Sequence, residues 1–77
     1  MPEYRQLSGK EVFNTLCKNG WNHIRTEGSH HIVFKHGSGP PFSIPIHGNK
    51  ELKVGTLNNI IKSTGLSKED FYKFFES

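Results

Sequence analysis

Residues 21–47, WNHIRTEGSHHIVFKHGSGPPFSIPIH, decide the fold. Trp21 to Glu27 mixes β-forming and polar residues and predicts a strand. Gly28-Ser29 predicts a turn, and His30 to His36 a second strand. There Ile32 and Phe34 share one face, while His31, Val33 and Lys35 take the other. His30 and His36 have the parity of Ile32 but sit at the strand ends. Gly37 to Pro41 is a loop by composition. Phe42-Ser43-Ile44-Pro45-Ile46-His47 alternates apolar and polar as a half-buried strand does. Pro45 has no N–H, which places this strand at a sheet edge or at an irregularity.

Helical signals flank this β-rich centre. Ser8-Gly9-Lys10-Glu11 matches a capping box, in which Ser and Glu satisfy each other's free backbone donors. Val12, Phe13, Leu16 and Cys17 then fall on one helical face, and Gly20 provides a left-handed stop. Beyond a polar loop carrying Lys50 and Lys53, a second helix runs from about Gly55-Thr56 to Thr64. Its apolar stripe is Leu57, Ile60 and Ile61, and Gly65 ends it. Ser67 to Asp70 resembles a further helix start, with Phe71, Phe74 and Phe75 as the apolar face that follows. The order helix, three strands, helix, short helix predicts an α+β fold: one three-stranded antiparallel sheet with helices packed on a single face.

The chain has 77 residues, so one domain over residues 1–77 is expected, with a small core and a shallow site rather than a deep pocket. Ten Lys and Arg against seven Asp and Glu give a net charge of +3. That balance permits a polyanionic partner without demanding one. The single cysteine, Cys17, cannot form an internal disulfide and fits a helix core position. No apolar run approaches the ~20 residues of a membrane span. The first five residues do not resemble a signal peptide, so a cytoplasmic protein without membrane contact is expected.

Five histidines in so short a chain are the chemical signal. Two-metal nuclease chemistry needs converging carboxylates. The acidic residues here are Glu3, Glu11, Glu27, Glu51, Glu69, Asp70 and Glu76, mostly at helix starts, termini or loops. Zinc is disfavoured by the lone cysteine and the lack of an HExxH pattern. No metal or other cofactor is therefore expected. RNA can be cut without one: a base deprotonates the 2′-hydroxyl, which attacks the adjacent phosphate. Histidine titrates in the right range to move such protons, and nearby Lys or Arg can stabilise the added charge. DNA lacks the 2′-hydroxyl and cannot react this way.

Strand alternation separates His30 from His31, so both cannot serve one site in regular geometry. His30 follows the Gly28-Ser29 turn, which could bring phosphate close to backbone. A strand-end histidine is nonetheless more often structural or merely exposed, and the same applies to His36 and His47. His23 reads as an exposed strand residue. Lys50 and Lys53 precede a helix N-terminus and form either a phosphate clamp or an ordinary solvated loop. Arg25 and Lys35 could flank His30 across the first two strands. Trp21 is an anchor after the first helix rather than a base-stacking platform.

The ordered set Gly20-Trp21, Gly28-Ser29-His30-His31, Phe34-Lys35-His36, Pro45-Ile46-His47, Lys50-Glu51-Leu52-Lys53, Gly55-Thr56-Leu57 and Gly65-Leu66 resembles the HicA toxin family over about residues 8–75. The resemblance implies an α-β-β-β-α fold like a double-stranded-RNA-binding domain. It implies a ribosome-independent endoribonuclease acting on mRNA and neutralised by a HicB-type antitoxin. The family's essential histidine follows Gly-Ser, which selects His30 as the catalytic residue. Gly28 matches the motif glycine, and His31 a position commonly occupied by histidine. Val54 stands where proline is frequent, and Asn59 where a basic residue is common. Residues 1–7 extend beyond the usual pattern.

The leading expectation is a metal-independent ribonuclease with His30 as general base or acid. Gly28, Ser29, His31, Lys35, Lys50 and Lys53 are its candidate RNA contacts. The alternatives are a non-catalytic RNA-binding module and a domain that chiefly docks a protein regulator.

Overall fold

The computed structural model describes residues 6–75. The N-terminal segment expected as an extension falls mostly outside them, but Leu7 does not. Leu7 is fully buried, and its carbonyl accepts a hydrogen bond from Leu52 N at 2.8 Å. Ser8 bridges Glu51 beside it. The chain entering the first helix is thus clipped to the loop that precedes the second.

Helix α1 spans Gly9–Lys18 and starts as its sequence dictates. Ser8 Oγ accepts from Glu11 N at 3.1 Å, while Glu11 Oε1 accepts from Ser8 N at 3.2 Å. Gly9 is buried at the first helical position, where a Cβ would collide with the Pro45 carbonyl. Gly20 has φ +103°, and the Trp21 amide returns to the Leu16 carbonyl at 3.0 Å, which closes the helix.

Strands β1 (Asn22–Glu27), β2 (His30–Phe34) and β3 (Phe42–Pro45) form one antiparallel sheet in the order β1-β2-β3. β2 and β3 are each two residues shorter than expected, ending before Lys35 and Ile46. β3 and its proline lie at a sheet edge. Gly28, with φ +60°, takes the first central position of the β1–β2 turn, where a positive φ matches the twist of the flanking strands. In the register, His23 faces Val33 and Arg25 faces Ile32, so Ile24 is the extra residue of a β-bulge. The bulge resets the alternation of β1. His23 and Thr26 consequently share a face, whereas a regular strand would set them apart.

The core lies on the side that carries Val33 and Ile44, both fully buried. Val12 and Leu16 of α1, then Leu57, Ile60 and Ile61 of α2 (Val54–Thr64), complete it with Trp21. Phe71 of α3 (Lys68–Lys73) is fully buried, with Phe74 and Phe75 packed against the cluster. Ile32 is buried on the opposite face and stands outside that cluster. Cys17 is half-buried on α1, and desolvation pushes its thiol pKa up, which keeps it protonated. Gly65 ends α2 at φ +78°. No helix among the described residues is long and apolar enough to cross a membrane.

Candidate functional site

His30 begins β2 on the open face, opposite Pro45 on β3 and Glu27 on β1. It is exposed and borders a concavity of about 370 Å³ shared with Ser43, Pro45, Thr56, Asn59 and Ser63. Thr56, Asn59 and Ser63 recur at helical spacing and form one flank of α2. A second concavity of about 310 Å³ is lined by Pro45, His47, Lys50, Glu51, Lys53 and Thr56. Pro45 and Thr56 border both, so the two concavities adjoin and together outline a groove along the β3 edge and α2. Lys50 and Lys53 border the concavity that adjoins the one bordered by His30.

The start of α2 adds to the field there. Lys53 is the N-cap residue and no side chain caps the helix. The first-turn amides of a helix have no intrahelical acceptor, and the helix dipole favours an anion at that end. No acidic residue occupies the first turn. Among the described residues, Glu51 is the one carboxylate lining this part of the groove. Val54 is the first helical residue, where an N–H has no intrahelical acceptor.

The backbone around the turn is held firmly. The Ser29 carbonyl accepts from Ile46 N at 2.8 Å, tying the Gly28-Ser29 turn to the continuation of β3. Arg25 donates to Glu27 Oε2 at 2.7 Å on the open face, so its charge is partly engaged beside His30. Lys35 does not flank His30 across the first two strands; strand parity sets it on the other face, and it lies there. Lys35 Nζ lies 4.5 Å above the centre of the Trp21 ring and donates to the Asn19 carbonyl at 3.1 Å. It caps the end of α1 on the opposite side of the sheet. Trp21 is 3% exposed, as an anchor should be.

His31 points to the helix side, into a ring cluster. Its centroid is 4.6 Å from Phe13 and 4.8 Å from His23, with His23 stacked nearly parallel. His23 is also 5.0 Å from Phe13 and hydrogen-bonds Thr26 Oγ1 through Nε2 at 2.8 Å. Alternation alone could separate His31 from His30. Joining His31 to His23 required the bulge, which has no sequence signature at Ile24. His47, given a structural reading from sequence, borders the groove with the lysines. Thr56, Asn59 and Ser63 were likewise missed, although their spacing on a predicted helix was visible.

Among the described residues no three His, Cys, Asp or Glu side chains gather as metal ligands. Chemically, the groove offers histidines able to move protons, two ammonium groups and an uncapped helix start. That combination suits a phosphodiester. Comparison with curated protein sequences finds no match. The chain does match the HicA toxin of bacterial toxin–antitoxin systems over residues 9–66, a span from the start of α1 through the end of α2 that includes the whole sheet and the groove. With three-quarters of its length inside that match, the chain belongs to the HicA toxin family.

Proposed function

We propose that this chain is a toxin endoribonuclease that cleaves mRNA without a metal ion, with His30 in the proton-transfer role. The observation that carries the proposal is the pair of adjoining concavities, one bordered by His30 and the other by Lys50 and Lys53 at the uncapped start of α2. In the reaction, an imidazole takes the 2′-hydroxyl proton and the 2′-oxygen attacks phosphorus. The 5′-oxygen leaves and takes up a proton, and a 2′,3′-cyclic phosphate remains. The lysines oppose the charge that builds on the phosphoryl oxygens. His47 is the second imidazole of the groove and the natural candidate for the opposite proton transfer. Gly28 and Ser29 set the turn that presents His30. The site is open to solvent, as a macromolecular substrate requires.

Family membership implies a cognate antitoxin. A HicB-type antitoxin that neutralises this chain would cover the groove. Expression of the chain alone should arrest growth, and the neighbouring gene product should rescue it.

A second function remains open on one observation. His30 has no hydrogen-bond partner among the described residues that would orient it as a base. A non-catalytic module that only holds RNA needs no such partner. Incubation of the purified chain with mixed RNA in EDTA distinguishes the two. The ribonuclease predicts cleavage to 2′,3′-cyclic phosphate ends that is lost in His30→Ala. Salt-sensitive binding with intact RNA would establish the module, and 5′-phosphate products would refute 2′-hydroxyl attack.

A further inference from the structure

We propose that the cavity bordered by His31 receives an unpaired nucleobase of the RNA strand and makes cleavage base-selective. The inference rests on the ribonuclease function above and adds a specificity site to it.

The cavity measures about 440 Å³, within the ~300–1,000 Å³ typical of small-ligand sites. It lies across the Pro45–Lys50 segment from the groove. Pro45, His47 and Lys50 border the groove, whereas Ile46, Gly48 and Asn49 border the cavity. A strand of RNA crossing this segment can keep a phosphate beside the lysines while an adjacent base turns into the cavity.

The lining matches the chemistry of a base. Phe13, His31 and Ile46 supply flat or apolar walls, and aromatic walls including histidine are what unstacked bases pack against. Asn14 and Asn49 sit at the rim, and neither amide makes a hydrogen bond to the described residues. Asn19 differs, since its amide is committed to the Thr15 carbonyl at 2.7 Å. A free amide carries a donor and an acceptor side by side, the pairing that reads a base edge. Lys10 adds one cation for a flanking phosphate, and no carboxylate among the described residues lines the cavity.

The wall is also fixed in advance. His31 is held between Phe13 and His23, and His23 is held by Thr26. A preset wall lowers the ordering cost of binding. This assigns a purpose to the β1 bulge, which brings His23 to the face that Thr26 already shares with its partner His31.

The test uses oligoribonucleotides that differ only in the bases flanking one cleavable bond. The full chain should cut the best and worst members at rates differing by about tenfold or more, as a well-placed amide–base contact can discriminate. In the double variant Asn14→Ala/Asn49→Ala that ratio should fall below about threefold, whatever the absolute rates. A wild-type ratio near one, or an unchanged ratio in the double variant, overturns the proposal. A second measurement avoids both catalysis and substitution. With the same series blocked by 2′-O-methylation, the side-chain amide resonances of Asn14 and Asn49 in the unmodified chain should move by amounts that depend on the base. Base-dependent shifts, with the unmethylated series left uncut, would retain the cavity and remove the ribonuclease. Cleavage with unmoved amides would do the reverse.

Discussion

His30 and His31 are joined by one peptide bond and occupy opposite environments. His30 is exposed, has no ring contact among the described residues, and opens onto a concavity that adjoins one bordered by two lysines. His31 is partly buried, packed between two rings, and carries an Nδ1 shielded from solvent without a partner. The two-residue period of a strand makes this division. The difference teaches where each side chain's interactions are used. The ring of His31 is fixed by neighbouring rings of the folded protein, whereas His30 has no such ring contact among the described residues. A motif of two identical residues therefore supports two unlike roles.

The largest effect should come from breaking the open side. His30→Ala should lower cleavage by about 10²–10⁴-fold, the range for loss of a positioned acid or base, which is roughly 3–5 kcal/mol in barrier. The thermal midpoint should hardly change, because the side chain is exposed. A variant that cuts RNA at the wild-type rate would take His30 out of the mechanism. Next in size is a contrast between two isoleucines. Ile44 is fully buried on the core face, and Ile44→Ala should cost about 3 kcal/mol in denaturant unfolding. Ile24 is 46% exposed at the bulge, and Ile24→Ala should stay within about 0.5 kcal/mol. Equal costs would mean that the two faces of the sheet are not as unlike as described.

Much of this arrangement was legible in the sequence because local rules fix it. The capping box at Ser8, the glycine stops at Gly20 and Gly65, the Gly28-Ser29 turn and the edge position of Pro45 each follow from one residue's stereochemistry. The separation of His30 from His31 follows from alternation. What could not be read depends on register and tertiary packing. Lys35 was a candidate RNA contact by proximity in sequence, yet its parity delivers it to Trp21. The His23–His31 stack needs the bulge, which the run from Asn22 to Glu27 does not announce. The place of His47 beside Lys50 and Lys53 depends on how the loop before α2 folds back, and Leu7 and Ser8 help to hold that loop. Residue 7, at the end of the unassigned N-terminal segment, turns out to be core.

Smaller effects sharpen the cation side of the comparison. If Lys50 and Lys53 each neutralise a phosphate of single-stranded RNA, removing one should reduce the salt slope of binding by about 0.7. A non-cleavable RNA titrated at several salt concentrations measures this for Lys50→Ala, Lys53→Ala and the pair. Lys35→Ala is the internal control. Its ammonium is engaged with Trp21 and Asn19, so its removal should leave the slope unchanged while lowering stability. A slope that falls as much for Lys35 as for Lys53 would return Lys35 to the RNA surface.

The smallest effect is the most discriminating, because the same substitution is made at both histidines. Phenylalanine keeps the size and flatness of the ring while removing both nitrogens. At position 30 it should lower cleavage as far as His30→Ala does and leave stability unchanged. At position 31 it should preserve the contacts to Phe13 and His23. It should also remove a shielded nitrogen that has no partner, and a buried polar atom left unpaired costs about 1–3 kcal/mol. A neutral imidazole can present Nδ1 as an unprotonated acceptor, which falls toward the low end of that cost. His31→Phe should therefore be as stable as the wild type, or more stable by about 1 kcal/mol. Denaturant midpoints at constant slope measure it. A loss of more than about 1 kcal/mol would mean that a nitrogen of His31 contributes a bond to the folded chain, and the contrast with His30 would then be one of partners rather than of solvent.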